Sequence, residues 1–175
     1  MKPFQPINGT HDPAATIRPI EPRDDMPVAL ILSEGCREFG AVGAGFGVNE
    51  CHELPLSRTY AAPRSAYFVM EREGLIAGGI GIAPLPCEFA HIAELQRFIL
   101  LPMSARRSHG RRLLDHCLDT ADRFGFRICY LESSATEIAM TELLELAGFQ
   151  RIGKSLSDRP LNGANTYYFL SLVTP

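Results

Sequence analysis

No two of the five cysteines (Cys36, Cys51, Cys87, Cys117 and Cys129) form a Cys-x-x-Cys pair, and their number is odd. That argues against a disulfide framework or a zinc site and fits thiols kept reduced in a cytosol. No apolar run approaches the roughly 20 residues that cross a bilayer. The N-terminus also lacks the basic-then-apolar order of a secretory signal, so a cytoplasmic protein is expected, with no membrane partner. A basic excess is missing too: the formal net charge is −3, which speaks against a nucleic-acid partner. No histidine pair has metal-ligand spacing, so no metal is expected. Neither a nucleophile elbow nor a Ser-His-Asp arrangement points to hydrolysis, and no internal repeat divides the chain.

What is present suits one globular domain: 175 residues, 46% hydrophobic and 21% charged, enough to bury a single sizeable core. Residues 1–14, with three prolines and an Asn-Gly, read as a loose arm that could drape on a partner subunit. Residues 15–175 read as one domain. Thr16 to Ile20 suggests a strand, Asp24 to Phe39 a helix ended by Gly40, and His52 to Tyr60 a shorter helix. Residues 40–52, with four glycines, read either as a plain connection or as a substrate-facing loop. Ala66–Glu71 and Leu75–Ala83 form a hairpin around Glu73-Gly74, and Gly78-Gly79 leaves room for a bulge. Strands follow at Ile92–Leu100 and Ile128–Leu131, and helices at Gly110–Phe124 and Ile138–Leu146. Phe149–Gly153 and Thr166–Val173 close the chain as a strand pair. The helix from Gly110 carries Leu113, Leu114, Cys117, Leu118 and Ala121 on one face, with Gly125 as its stop. Strand–helix–strand units of this order build a mixed sheet with helices on both faces.

The most informative stretch is Glu94 to Leu114, ELQRFILLPMSARRSHGRRLL. It reads as an apolar strand, an arginine-crowded turn and a helix opened by a glycine. Such a turn aims main-chain N–H groups and the positive end of a helix dipole at one spot, where phosphate binds. Arg106, Arg107, Arg111 and Arg112 flank it in an otherwise acidic chain. Taken alone they would read as a solvated helix face; after this strand and turn they read as a pyrophosphate cradle.

Together with the block GRRLLDHCLDTADRFGFRICYLES and the closing AGFQRI, this stretch resembles the GNAT superfamily of acyl-CoA N-acyltransferases over roughly Ala15 to Leu172. The resemblance implies an α/β fold whose central mixed, mostly antiparallel twisted sheet has six to seven strands. It implies acetyl-CoA as co-substrate. The family's loop, Gln/Arg-x-x-Gly-x-Gly/Ala, fits in two registers. One starts at Arg107 and puts Arg112 where a small residue belongs. The other starts at Ala105, keeps only Gly110 of the glycines, and sets Leu113-Leu114 where the family helix is apolar; helix phase favours it. Main-chain amides of Arg106, Arg107, Ser108, His109, Gly110 and Arg111 would then hold the diphosphate, aided by charge-assisted bonds from the arginines. Phe98, Ile99 and Leu100 would pair with the pantetheine arm and supply an N–H to the oxyanion.

Acyl transfer to an amine needs a neutral nucleophile. An alkyl amine with a pKa near 10 is neutral only about once in a thousand molecules at pH 7, so a base has much to contribute. The resemblance places one at Glu94, often acting through water; the alternative is a strand-end carboxylate paired with Arg97 or a lysine. The family's tyrosine, proton donor to the departing thiolate, is replaced by Leu144. Tyr130 reads as core, and Ser133 and Ser134 are weak substitutes. His109 is read as touching phosphate or simply exposed, His91 as a possible lining of the acceptor site, and Arg64 and Tyr67 as structural before they are acceptor contacts. The leading reading is an N-acetyltransferase acting on a primary amine of a small metabolite or amino acid by direct attack in a ternary complex. The alternative is a catalytically weak acyl-CoA-binding module. A Rossmann-type binder is excluded by the missing glycine fingerprint and ribose-binding acid. Loop 40–52 and the loop after Leu156 would shape the acceptor pocket, and a homodimer stays open by analogy with the fold.

Overall fold

The structure, a computed structural model, describes residues 15–39, 55–101, 107–134, 138–161 and 163–173. The arm at 1–14 and the glycine-rich loop 40–52 lie outside the described residues. The elements are β1 (Ala15–Pro19), α1 (Asp25–Phe39), α2 (Leu56–Thr59), β2 (Ala66–Arg72), β3 (Leu75–Pro84), β4 (Ile92–Leu100), α3 (Arg107–Arg123), β5 (Ile128–Ser133), α4 (Ile138–Leu146), β6 (Gln150–Ile152) and β7 (Thr166–Ser171). They form one seven-stranded sheet in the order β1-β2-β3-β4-β5-β7-β6. Only β4 and β5 run parallel, joined by the α3 crossover; the other neighbours are antiparallel. This is the mixed, mostly antiparallel sheet that the resemblance implies. No helix among the described residues is long and apolar enough to cross a membrane.

Each face of the sheet has its own core. Leu113, Leu114 and Cys117 of α3 and Leu144 of α4 pack against Phe68, Leu95 and Leu131 on one side. Val28 and Leu32 of α1, with Leu56 and Tyr60 around α2, pack on Tyr67, Val69 and Ile99 on the other. The stripe expected on α3 is buried throughout, from Leu113 to Ala121. Each buried leucine contributes on the order of 2 kcal/mol before conformational entropy is counted. The β2–β3 hairpin turns on Glu73 and Gly74, both at positive φ (54° and 79°), the geometry that matches the twist of paired strands.

Several boundaries differ from expectation for physical reasons. The helix α3 starts at Arg107, before Gly110, because His109 is itself buried (1% exposed) and its packing draws one more turn into the helix. Gly110 therefore lies within the first turns and serves close approach: a Cβ there would meet Leu143 Cδ2 at 2.9 Å and Leu100 Cδ1 at 3.0 Å. Residues 52–54 lie outside the described residues, and the described part of the second helix is Leu56–Thr59 alone. A short 3-10 turn, Pro22–Asp24, precedes α1, its Asp24 carboxylate accepting from the Glu21 N–H at 2.8 Å. Arg18 clamps this turn, donating to Asp24 at 2.6 Å and to Glu71 at 2.7 Å. Asp25 accepts from the Ser57 amide and hydroxyl at 2.8 and 2.7 Å, tying α2 to the start of α1.

Candidate active site

The site begins where two strands part. Parallel pairing of β4 with β5 covers only Ile92, Ala93 and Glu94 against Ile128, Cys129 and Tyr130. Beyond Glu94, β4 runs on to Leu100 paired with β3, and β5 to Ser133 paired with β7. Among the described residues no strand fills the edge of β4 that faces the resulting fork.

A bulge shapes β4 inside that fork. Between the pairs Gly81–Gln96 and Gly79–Ile99, the single residue Ile80 faces both Arg97 and Phe98. Arg97 takes φ 49°, a left-handed conformation that costs a non-glycine residue about 1 kcal/mol or more. The extra residue reverses the strand's phase. Leu95 and Phe98 both enter the α3-side core, while Ile99 packs on the α1 side.

Two tyrosines seat against this bulge, and glycines on β3 clear the space. A Cβ at Gly79 would meet the Tyr67 ring at 2.6 Å, and one at Gly81 the Tyr60 hydroxyl at 2.5 Å. Tyr67 donates to the Arg97 carbonyl at 3.1 Å. Tyr60 donates to Gln96 Oε1 at 2.8 Å and accepts from an Arg97 guanidinium N–H at 3.3 Å. Gln96 Nε2 in turn donates to Glu94 Oε2 at 2.7 Å. Glu94 is only 2% exposed. Burial pushes the Tyr60 hydroxyl up to about 12, with Arg97 pulling weakly the other way.

A second carboxyl group lies on the same face one strand over. Glu132 of β5 is fully buried. Its Oε1 accepts from the Tyr130 hydroxyl at 2.8 Å and from the Ser155 hydroxyl, and its Oε2 from the Leu161 N–H. Tyr130 also accepts from the Leu156 N–H at 3.1 Å. These bonds fasten the segment after β6 to β5.

The turn expected to bind phosphate is placed less simply than the sequence suggests. Arg106 lies outside the described residues, and Arg107 opens α3. Ser108 is half-buried in that first turn. The His109 imidazole is buried, so the reading of an exposed or phosphate-touching side chain is corrected; its amide alone stays available to the cradle. Arg111 and Arg112 also depart from expectation. Arg111 bonds Asp115 at 2.7 Å and the Leu146 carbonyl at 3.2 Å. Arg112 donates to the Ala15 carbonyl at 2.8 Å. Both guanidinium groups are turned to the helix's flanks by partners distant from the turn. Burial raises the Asp115 carboxyl group, with Arg111 opposing the shift.

Phe98 and Ile99 are buried in β4 past the bulge, and Leu100 is half-buried at its end, against Gly110. Leu144 is buried in the core, and Tyr130 is a buried strand residue, as read. Ser133 is buried and Ser134 half-buried. His91 is exposed, its ring 5.9 Å from that of Phe89. Arg64 donates to the Phe124 and Ala90 carbonyls at 3.1 and 2.8 Å and lies 3.9 Å over the Phe126 ring, the structural role expected of it. Among the described residues, no group of three or more His, Cys, Asp or Glu could hold a metal. Sequence reasoning did not single out Gln96, Tyr60 or Glu132. Only the glycine pair on β3 signalled irregularity here.

Residues 37–149 match the family described as Acetyltransferase (GNAT) family. The uncharacterized N-acetyltransferase YjgM of Escherichia coli (strain K12) is 30% identical over 151 residues, spanning 86% of this chain and 90% of that protein. Among solved structures, a GNAT-family acetyltransferase from Staphylococcus aureus Mu50 superposes with a TM-score of 0.76 at 16% identity, covering 91% of this chain and 100% of that one. The acetyltransferase yncA from Salmonella typhimurium, solved with its cofactor acetyl-CoA, gives 0.71 at 19% identity, covering 92% and 95%. The split sheet and the sequence match lead to one conclusion: this chain belongs to the GNAT family of acetyltransferases.

Proposed function

We propose that the protein transfers the acetyl group of acetyl-CoA to a primary amine of a small metabolite or amino acid, by direct attack in a ternary complex. The observation that carries this reading is the parting of β4 from β5 at Glu94, a buried carboxyl group at the apex of the fork. The unfilled edge of β4 suits addition of the pantetheine arm as a further strand. Phe98, Ile99 and Leu100 contribute that edge, and one of their N–H groups would receive the oxyanion. The diphosphate would rest on main-chain amides at the start of α3, those of Arg106, Arg107, Ser108 and His109, at the positive end of a 17-residue helix. With the helix opening at Arg107, the Gly110 and Arg111 amides enter its own ladder and are dropped from the cradle. Close packing of Gly110 on Leu100 keeps those two parts together.

In the reaction, Glu94 takes a proton from the acceptor ammonium, directly or through a water. The freed nitrogen pair forms a bond to the thioester carbon, the resulting oxyanion collapses with breaking of the C–S bond, and the second nitrogen proton passes to water. With Leu144 where the family places a tyrosine, water protonates the thiolate. A thiol of pKa about 8.5 is a tolerable leaving group, so the missing acid slows the step without blocking it.

The buried Leu144 also favours a second reading, an acyl-CoA-binding module with weak catalysis. A thermal-shift titration with acetyl-CoA, followed by thiol release over a panel of primary amines, separates the two. Stabilisation with turnover supports the transferase, whereas stabilisation with no thiol release from any amine supports the module. No stabilisation by CoA or acetyl-CoA overturns both.

A further inference from the structure

We propose that Gln96 and Tyr60 are positioning residues for Glu94, a directed hydrogen-bond relay that holds its carboxylate at the apex of the β4–β5 fork. The inference rests on the reading of Glu94 as the base. Every link has a defined donor: the Arg97 guanidinium to the Tyr60 hydroxyl (3.3 Å), that hydroxyl to Gln96 Oε1 (2.8 Å), and Gln96 Nε2 to Glu94 Oε2 (2.7 Å). An ionised Glu94 carboxylate can only accept, so Gln96 turns its Nε2 to Glu94 and its Oε1 to the Tyr60 hydroxyl, which then donates. Burial holds Tyr60 protonated far above neutral pH, so the direction does not reverse under working conditions.

The backbone is built around the same contacts. Gly81 leaves the gap in which the Tyr60 hydroxyl sits, and the bulge at Arg97 returns to the Tyr60 side a residue that plain alternation would send to the opposite core. The bond from Gln96 Nε2 fixes where Oε2 of the base lies at the apex. Among the described residues, Arg97 on its own strand, Tyr60 beyond α2 and Tyr130, paired opposite it on β5, are charged or titratable groups beside Glu94.

The relay is tested by titrating the Glu94 carboxyl band by infrared difference spectroscopy in the full-length protein without ligand, assigned by subtracting the Glu94→Gln spectrum. A donor to the charged form lowers a carboxyl pKa, so losing it raises the midpoint. Gln96→Leu should raise it by roughly one pH unit. Tyr60→Phe, which keeps the ring against Gly81, should raise it by less, because the amide stays but loses its orientation. The acid limb of the pH–rate profile, measured by thiol release with the best amine of the panel, should move the same way in both variants. An unmoved midpoint in Gln96→Leu, or a Tyr60→Phe shift equal to or larger than it, overturns the relay. Full activity in Glu94→Gln overturns the base assignment instead, which separates the two failures.

Discussion

Glu94 and Glu132 are the same residue type, buried on the same face of neighbouring strands, yet their surroundings differ. Glu132 accepts from Tyr130, Ser155 and Leu161 and so fastens a loop to the sheet. Glu94 stands where strand pairing ends, and its Oε2 accepts from Gln96. Burial alone does not distinguish the two; their place relative to the fork does. The largest expected effect breaks the comparison from the Glu94 side. Glu94→Gln should lower kcat by about 10²–10⁴-fold while leaving Tm within a few degrees, since the amide oxygen can still accept from Gln96.

The converse change should be read in stability. Glu132→Ala strips acceptors from two hydroxyls and the half-buried Leu161 N–H, and unsatisfied buried donors cost about 1–3 kcal/mol each. For a chain of this size we expect a loss of about 3 kcal/mol, or Tm lower by roughly 10 °C. Chemical denaturation and calorimetry measure it. An unchanged Tm would dissolve the distinction drawn between the two carboxyl groups.

Next in size is Gly81→Ala. The new Cβ would lie 2.5 Å from the Tyr60 hydroxyl, and overpacking at a rigid ring costs about 1–3 kcal/mol. Because the displaced group is Tyr60, kcat should fall as well. Gly153→Ala is the control, with nothing within 4 Å of its Cβ and no left-handed φ; it should change neither quantity.

What could be read in the sequence was carried by neighbours along the chain. The α3 stripe, the Glu73-Gly74 hairpin and the order of elements depend on periodicity and turn chemistry. The phosphate turn was read from its strand, arginines and helix start, and Glu94 through family likeness. The bulge at Arg97 escaped because a phase reversal in β4 is visible only against its partner β3. The Tyr60–Gln96 bond joins residues 36 apart, and Glu132 meets Ser155 and Leu161 from a loop with no period of its own. Arg112 illustrates the same failure, since its acceptor, the Ala15 carbonyl, lies 97 residues away.

The Arg18 clamp offers a pH test of a site that has structure but no chemistry. Hydrogen bonding and charge from Arg18 hold the Asp24 carboxyl group below its usual value, against a smaller opposing effect of burial. A carboxyl group depressed in the folded state stabilises the fold above its unfolded pKa, about 3.9. That stability is lost as pH falls through the lower, folded value. Wild type should therefore lose stability below about pH 4 more steeply than Arg18→Met, whose Asp24 lacks the clamp. Urea midpoints measured from pH 7 down to 2 compare the slopes, and parallel curves would remove the clamp from the account.

Smallest of all should be Arg111→Ala, which sets side chain against main chain within the phosphate cradle. Its guanidinium is committed to Asp115 and the Leu146 carbonyl, and a partly exposed i,i+4 pair of this sort contributes roughly 0.5 kcal/mol. The main-chain amides of the helix start are untouched by the change to alanine. Stability should therefore dip slightly, while acetyl-CoA affinity by calorimetry stays within about twofold. A tenfold loss, about 1.4 kcal/mol, would mean that the guanidinium leaves Asp115 for the diphosphate, and that the arginine-rich turn works as its sequence suggests.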